Sequence, residues 1–97
     1  QEQLALYQQK NAQLHLIVHE EEEIKPKIIK LKKELAAVKT FIRKEMESKD
    51  KSMMQSYEAK EAHISHELEK LTEQLAILEN QRKALAEELE EIKSKLN

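Results

Sequence analysis

The sequence predicts an all-α protein: a long, mostly continuous helix that forms a parallel two-stranded coiled coil with a second copy of itself. The 97 residues include no Gly and one Pro, and tight turns depend on these residue types. Charged residues make up 37% of the chain, a composition typical of long solvated helices. Apolar residues recur at alternating steps of three and four, which is the spacing of an apolar stripe shared by two helices.

The N-terminal part, residues 1–24, is predicted to be helical. Its stripe begins with Leu4, Tyr7, Asn11 and Leu14. A single Asn on such a stripe can fix register and strand number, so Asn11 is a candidate for that role. The next stripe residue, Ile17, comes after a step of three where four is due, and this irregularity overwinds a supercoil locally.

Pro26 is the strongest helix breaker in the chain. Inside a helix it removes a backbone hydrogen bond and costs roughly 3 kcal/mol. After Ile17 the stripe continues through Glu21, Ile24 and Ile28. It therefore passes this point in phase, and Pro26 falls on the outer face. We therefore predict a kink near Pro26. A new helix that begins at Pro26 remains the alternative.

The middle part, residues 25–63, is the irregular part of the predicted coiled coil. From Val38 the apolar steps become four, four and three, an eleven-residue repeat that unwinds a left-handed supercoil. The repeat places Lys49 and Lys60 on the stripe, so pairing is weakest around residues 47–56. This stretch also contains three poor helix formers, Ser48, Asp50 and Ser52. If the chain folds back as a hairpin anywhere, we expect the fold-back here.

The C-terminal part, residues 64–97, carries a regular seven-residue repeat. The a positions are Leu68, Leu75, Arg82, Leu89 and Leu96, and the d positions are Leu71, Leu78, Leu85 and Ile92. Leu at d favours two parallel strands. In a dimer the stem of Arg82 can lie along the stripe while its charged head reaches water. Replacing Arg82 by Leu is then expected to raise thermal stability.

We call the stripe positions predicted to join two copies the seam. The seam residues are Leu4, Asn11, Leu14, Ile28, Leu31, Leu35, Val38, Ile42, Ile64, Leu68, Leu71, Leu75, Leu78, Arg82, Leu85, Leu89, Ile92 and Leu96. This prediction fails if the leucine repeat packs back on the N-terminal third of its own chain inside a short globule.

The sequence predicts no catalytic, cofactor or metal site, and we expect the chain not to be an enzyme. Without Gly it cannot make the tight loops that hold phosphates, and without Cys it has no thiol chemistry. His15 and His19 share one helical face, as do His63 and His66, but a zinc site needs at least one further ligand.

Charge and hydropathy restrict the partners. The net charge of −2 gives no bulk attraction to nucleic acid or membrane. No run of eighteen apolar residues predicts a membrane span. We therefore expect an intracellular protein, cytoplasmic or cytoskeletal. The basic stretch 25–44 leaves a nucleic-acid-binding rod as the weakest alternative.

Together these patterns predict a single coiled-coil segment of a longer protein. It would homodimerise that protein and space its end domains, as the stalks of motors, tethers and cytoskeletal scaffolds do. One alternative is a helical binding module that forms a heteromeric coiled coil with another helical protein. Another is a compact three-helix bundle with breaks near Pro26 and Asp50.

Overall fold

The computed structural model describes residues 2–96 and contains two α-helices. Helix α1 spans Glu2–Glu47 and helix α2 spans Met54–Leu96. No strand occurs among the described residues. The predicted all-α class is therefore confirmed. The expectation of one mostly continuous helix is wrong, because residues 48–53 are not helical.

The connection between the helices is built from side-chain hydrogen bonds. The Asp50 N–H donates to Ser48 Oγ (3.2 Å), and the Ser52 N–H donates to Asp50 Oδ1 (3.0 Å). The Met53 N–H donates to Glu45 Oε2 across the connection, at 2.8 Å. Short polar side chains compete with helical backbone bonds in this way. These bonds allow the chain to turn without Gly or Pro. The scarcity of Gly and Pro therefore wrongly favoured one continuous helix.

The eleven-residue repeat does not extend through the connection. Its stripe positions Met46, Lys49, Met53 and Lys60 are all exposed. Such a repeat requires a continuous helix to keep its positions on one face. Because α1 ends at Glu47, the repeat is interrupted there, and burial resumes on α2 with half-buried Tyr57 and buried Ile64.

Helix α1 continues through Pro26. A new helix beginning at Pro26 is therefore not found. The three-helix bundle is not found either, since its second break would have been there. The kink itself stays a prediction.

The chain divides into two compact units, and each contains a piece of both helices. Unit 1 comprises residues 1–25 and 74–97, and unit 2 comprises residues 26–73. In unit 1, Lys10 pairs with Glu88 and Glu21 pairs with Arg82. Glu21 follows Lys10 along α1, whereas Arg82 precedes Glu88 along α2. The two helical pieces are therefore antiparallel.

The leucine repeat thus packs in this structure against the N-terminal part of its own chain. The seven-residue repeat predicted the apolar face correctly but carries no information on where the partner helix comes from. The connection at residues 48–53 supplies that partner from the same chain. These contacts are antiparallel and lie within one chain, so they do not form the predicted parallel pairing between copies.

Burial within the chain follows the predicted stripe. The buried apolar residues are Ile24, Leu78, Leu89 and Ile92 in unit 1, and Ile28, Val38 and Ile64 in unit 2. Most other seam residues are half-buried, whereas the terminal Leu4 and Leu96 are exposed. No described side chain falls below 2% exposure. Neither described helix has a stretch apolar enough to cross a bilayer.

Candidate functional site

A polar pair interrupts the apolar contact in unit 1. The Arg82 Nε–H donates to Glu21 Oε1 at 2.8 Å. The Glu21 side chain is only 5% exposed and that of Arg82 is 38% exposed. A buried carboxylate is tolerated when a cation pairs with it and donates a hydrogen bond. This pair therefore matches one position of α1 to one position of α2.

A second ion pair joins the helices of unit 1 nearer the chain ends. Lys10 Nζ lies 2.6 Å from Glu88 Oε2, with both side chains partly exposed. Exposed pairs contribute little to stability, about 0–1 kcal/mol. Lys10–Glu88 nevertheless favours the same antiparallel register as Glu21–Arg82.

Sequence reasoning placed Glu21 and Arg82 on their stripes but did not join them. Arg82 was expected to lie on the seam between two copies, with its charged head reaching water. The available signal was one acidic residue on the N-terminal stripe and one basic residue within the leucine repeat. Asn11, the candidate for fixing register, is half-buried in unit 1. Its role between copies, like that of the whole seam, stays a prediction.

A shallow groove runs between α1 and α2 in unit 1, with a volume of about 480 Å³. Its apolar lining comes from Leu16, Ile17, Ala84 and Leu85, and Gln13, Glu20 and Gln81 line its polar edges. Leu16 is 64% exposed. Ile77, seven residues before Ala84 and thus on the same helical face, is 52% exposed. Apolar surface here lies outside the intrachain contact.

Unit 2 has an aromatic contact near the connection. The rings of Phe41 and Tyr57 stack with centroids 5.5 Å apart and an interplanar angle of 21°. Phe41 is still 46% exposed. It lines a groove of about 330 Å³ together with Val38, Lys60 and Ile64. Met46 and Met53 are also exposed, so exposed apolar side chains are concentrated near the connection in unit 2.

The histidine pairs are not brought into a metal site. His19 Nε2 lies 3.0 Å from Glu23 Oε1, with both side chains well exposed. Among residues 2–96, no three His, Cys, Asp or Glu side chains are grouped so as to hold a metal ion. The arrangement of His19 and Glu23 is that of a solvated pair on one helical face.

The two units carry opposite net charge. Unit 1 contains six Lys and Arg against ten Glu, which gives −4. Unit 2 contains eleven Lys and Arg against nine Asp and Glu, which gives +2. The basic side chains of residues 26–44 are all exposed. The overall charge of −2 is therefore the sum of an acidic unit 1 and a basic unit 2.

Comparison of the chain with protein-family models, with curated proteins and with solved structures gives no match.

Proposed function

We propose that this chain is a structural interaction module, built as a helical hairpin, that joins copies of a larger protein through helix–helix packing. The observation that carries the proposal is the exposure of large aliphatic side chains outside the intrachain contact. Leu16, Ile29 and Ile77 are each more than half exposed. Leu16 belongs to the apolar lining of the groove in unit 1, and exposed apolar side chains grouped in this way typically mark an interaction site.

The accessible surface area of the chain is large enough to include an interface with a partner. The chain exposes 7506 Å², whereas a compact monomer of 11.4 kDa is expected to expose roughly 5,800 Å². A standard interface removes about 800 Å² from each partner. The chain can lose that area to a partner and still expose as much surface as a compact protein does.

The parallel two-stranded coiled coil is the competing form of the same function. It would use seam residues such as Leu78, Leu89 and Val38, which lie buried inside one chain here. The two forms are therefore mutually exclusive for a given pair of helices. We propose association of intact hairpins because it leaves Glu21 paired with Arg82.

A heteromeric assembly is the second candidate. The observation that favours it is the cluster of exposed Phe41, Met46 and Met53 near the connection. Methionine adapts to varied partner surfaces and is frequent at sites that receive amphipathic helices. In this form another helical protein, and not a second copy, would cover the exposed faces.

Sedimentation equilibrium of the chain alone tests the proposal, with far-ultraviolet circular dichroism as the control for helix content. We expect a helical species heavier than a monomer, with a mass that rises with concentration. A helical monomer at every concentration would contradict self-association and favour the heteromeric form. Small-angle scattering on the same samples distinguishes paired hairpins from a parallel coiled coil, which would be about 145 Å long at 1.5 Å per residue.

A further inference from the structure

We propose that copies associate head to tail, with the groove of unit 1 in one copy receiving a basic ridge of unit 2 in the next. This inference rests on the self-association proposed above and specifies which surfaces meet. The groove is the one lined by Leu16 and Ala84. The ridge is the exposed face of α1 that carries Ile29, Lys32, Lys33 and Ala36.

The ridge combines an apolar centre with a basic border. Ile29 is 55% exposed, and Ala36, seven residues later, is exposed on the same helical face. Lys32 and Lys33 follow Ile29 by three and four residues, so they adjoin it on the helix surface. Both lysines are exposed. The ridge can therefore offer an aliphatic contact with cations beside it.

The groove combines an apolar floor with an acidic border. Leu16 and Ala84 belong to its apolar lining, and Glu20 lies on its edge. Glu87 is exposed three residues after Ala84, which places it beside Ala84 on α2. The groove therefore complements the ridge in apolar character and in charge, and opposite charges across an interface select partner and register.

The net charges of the two units favour the same pairing. Unit 1 meeting unit 1 would bring together two surfaces of −4, and unit 2 meeting unit 2 would bring together two of +2. Unit 1 meeting unit 2 brings together opposite signs. Like-charge contact is the kind of pairing that proteins exclude by repulsion.

A head-to-tail contact leaves one groove and one ridge free on every assembled pair. Such heterologous contacts continue to add copies unless the rotation closes a ring. The hairpin would therefore polymerise the protein that contains it and not merely dimerise it.

Complementary surface variants test this inference. One variant blocks the groove (Leu16→Lys with Ala84→Lys), and the other blocks the ridge (Ile29→Glu with Lys32→Glu and Lys33→Glu). All five positions are exposed, so circular dichroism should show wild-type helix content in both variants. Should either lose helix, the milder pair Leu16→Gln and Ile29→Gln replaces them.

We expect the wild type to form species larger than a dimer in sedimentation velocity, and each variant to be monomeric. An equimolar mixture of the two variants should form a one-to-one dimer that grows no further, because each variant retains one intact surface. Raising the salt to about 1 M, where the Debye length is ~3 Å, should weaken wild-type association roughly tenfold or more.

Two results would overturn the inference. If the mixed variants remain monomeric while the wild type associates, the groove of one copy does not bind the ridge of another, so the head-to-tail arrangement is wrong although self-association stands. If either variant alone assembles as the wild type does, the groove or the ridge is not part of the interface. A monomeric wild type is a different outcome, since it contradicts self-association itself.

Discussion

Glu21 and Arg82 are separated by 61 positions in the sequence and are joined across unit 1 by a 2.8 Å hydrogen bond from Nε to Oε1. Each residue takes the place of an apolar side chain on its own helix. Their meeting converts two separate interruptions of the apolar contact into one matched polar layer. A polar layer of this kind can fix the register of a helix pair.

Replacing Arg82 by Leu should lower stability, although the sequence alone predicted an increase. The substitution leaves the 5%-exposed carboxylate of Glu21 without its cation. We expect a loss of about 1–2 kcal/mol in the free energy of unfolding, less than for a fully buried pair because Arg82 is partly exposed. The double variant Glu21→Leu/Arg82→Leu should be at least as stable as the wild type. Urea unfolding followed by circular dichroism measures both. A gain in stability for Arg82→Leu alone would mean that the two residues do not meet.

Exchanging the charges of Glu21 and Arg82 should distinguish the hairpin from a parallel pair of copies. Glu21→Arg and Arg82→Glu should each destabilise the fold by about 2 kcal/mol, because each places like charges together. The double variant should recover at least half of the combined loss. In a parallel pair of copies, position 21 faces position 21, so each substitution exchanges one like-charged pair for another and the double variant should show only the sum of the single effects. Glu22→Lys with Lys83→Glu, both exposed, is the matched control, for which we expect no coupling.

Removing the acceptor that holds the connection should loosen the start of α2. Glu45→Ala deletes the carboxylate that accepts the Met53 N–H. The loss of a bond of this capping kind should cost about 1 kcal/mol. Hydrogen exchange at the Met53 amide should quicken, and Glu47→Ala, at an exposed position near the end of α1, is the control. Equal effects of the two substitutions would argue against a specific role for the Glu45 carboxylate.

Replacing Pro26 by Ala should stabilise the protein. Pro26 lies inside α1 and is exposed, so the substitution restores a backbone hydrogen bond without disturbing the core. We expect a gain of about 1–3 kcal/mol in thermal or urea unfolding. Lys27→Ala, at the next exposed position, should change stability by only a few tenths of a kcal/mol. If Pro26→Ala destabilises the chain instead, a bend at Pro26 contributes to packing.

The helical class and the apolar face could be read from the sequence. Stripe positions such as Val38, Ile64 and Leu89 are buried within the chain, because the three-and-four spacing places them on one face whatever the partner helix is. The same spacing is compatible with a parallel copy and with an antiparallel segment of the same chain. The source and direction of the partner therefore could not be deduced from it.

The sequence placed a possible fold-back at residues 47–56 but favoured a continuous helix. Ser48, Asp50 and Ser52 were recognised as poor helix formers, and the lack of Gly and Pro was weighed against a turn. The structure uses two of these side chains, those of Ser48 and Asp50, as hydrogen-bond acceptors in the connection. The polar layer was missed for another reason: Glu21 and Arg82 acquire a shared role only once the chain reverses.

The connection between α1 and α2 contains no residue that helical geometry excludes. No non-glycine residue of the described chain has a positive φ. The turn is held by side-chain bonds such as that of Glu45 and by backbone bonds such as that from the Met54 N–H to the Lys51 carbonyl. Straightening residues 48–53 into one helix would break these bonds and separate the paired pieces of α1 and α2, and a second opened chain could restore that pairing. Two such opened chains could then exchange α2, each rebuilding the partner's Glu21–Arg82 layer, so domain swapping is an inexpensive route to an interlocked pair.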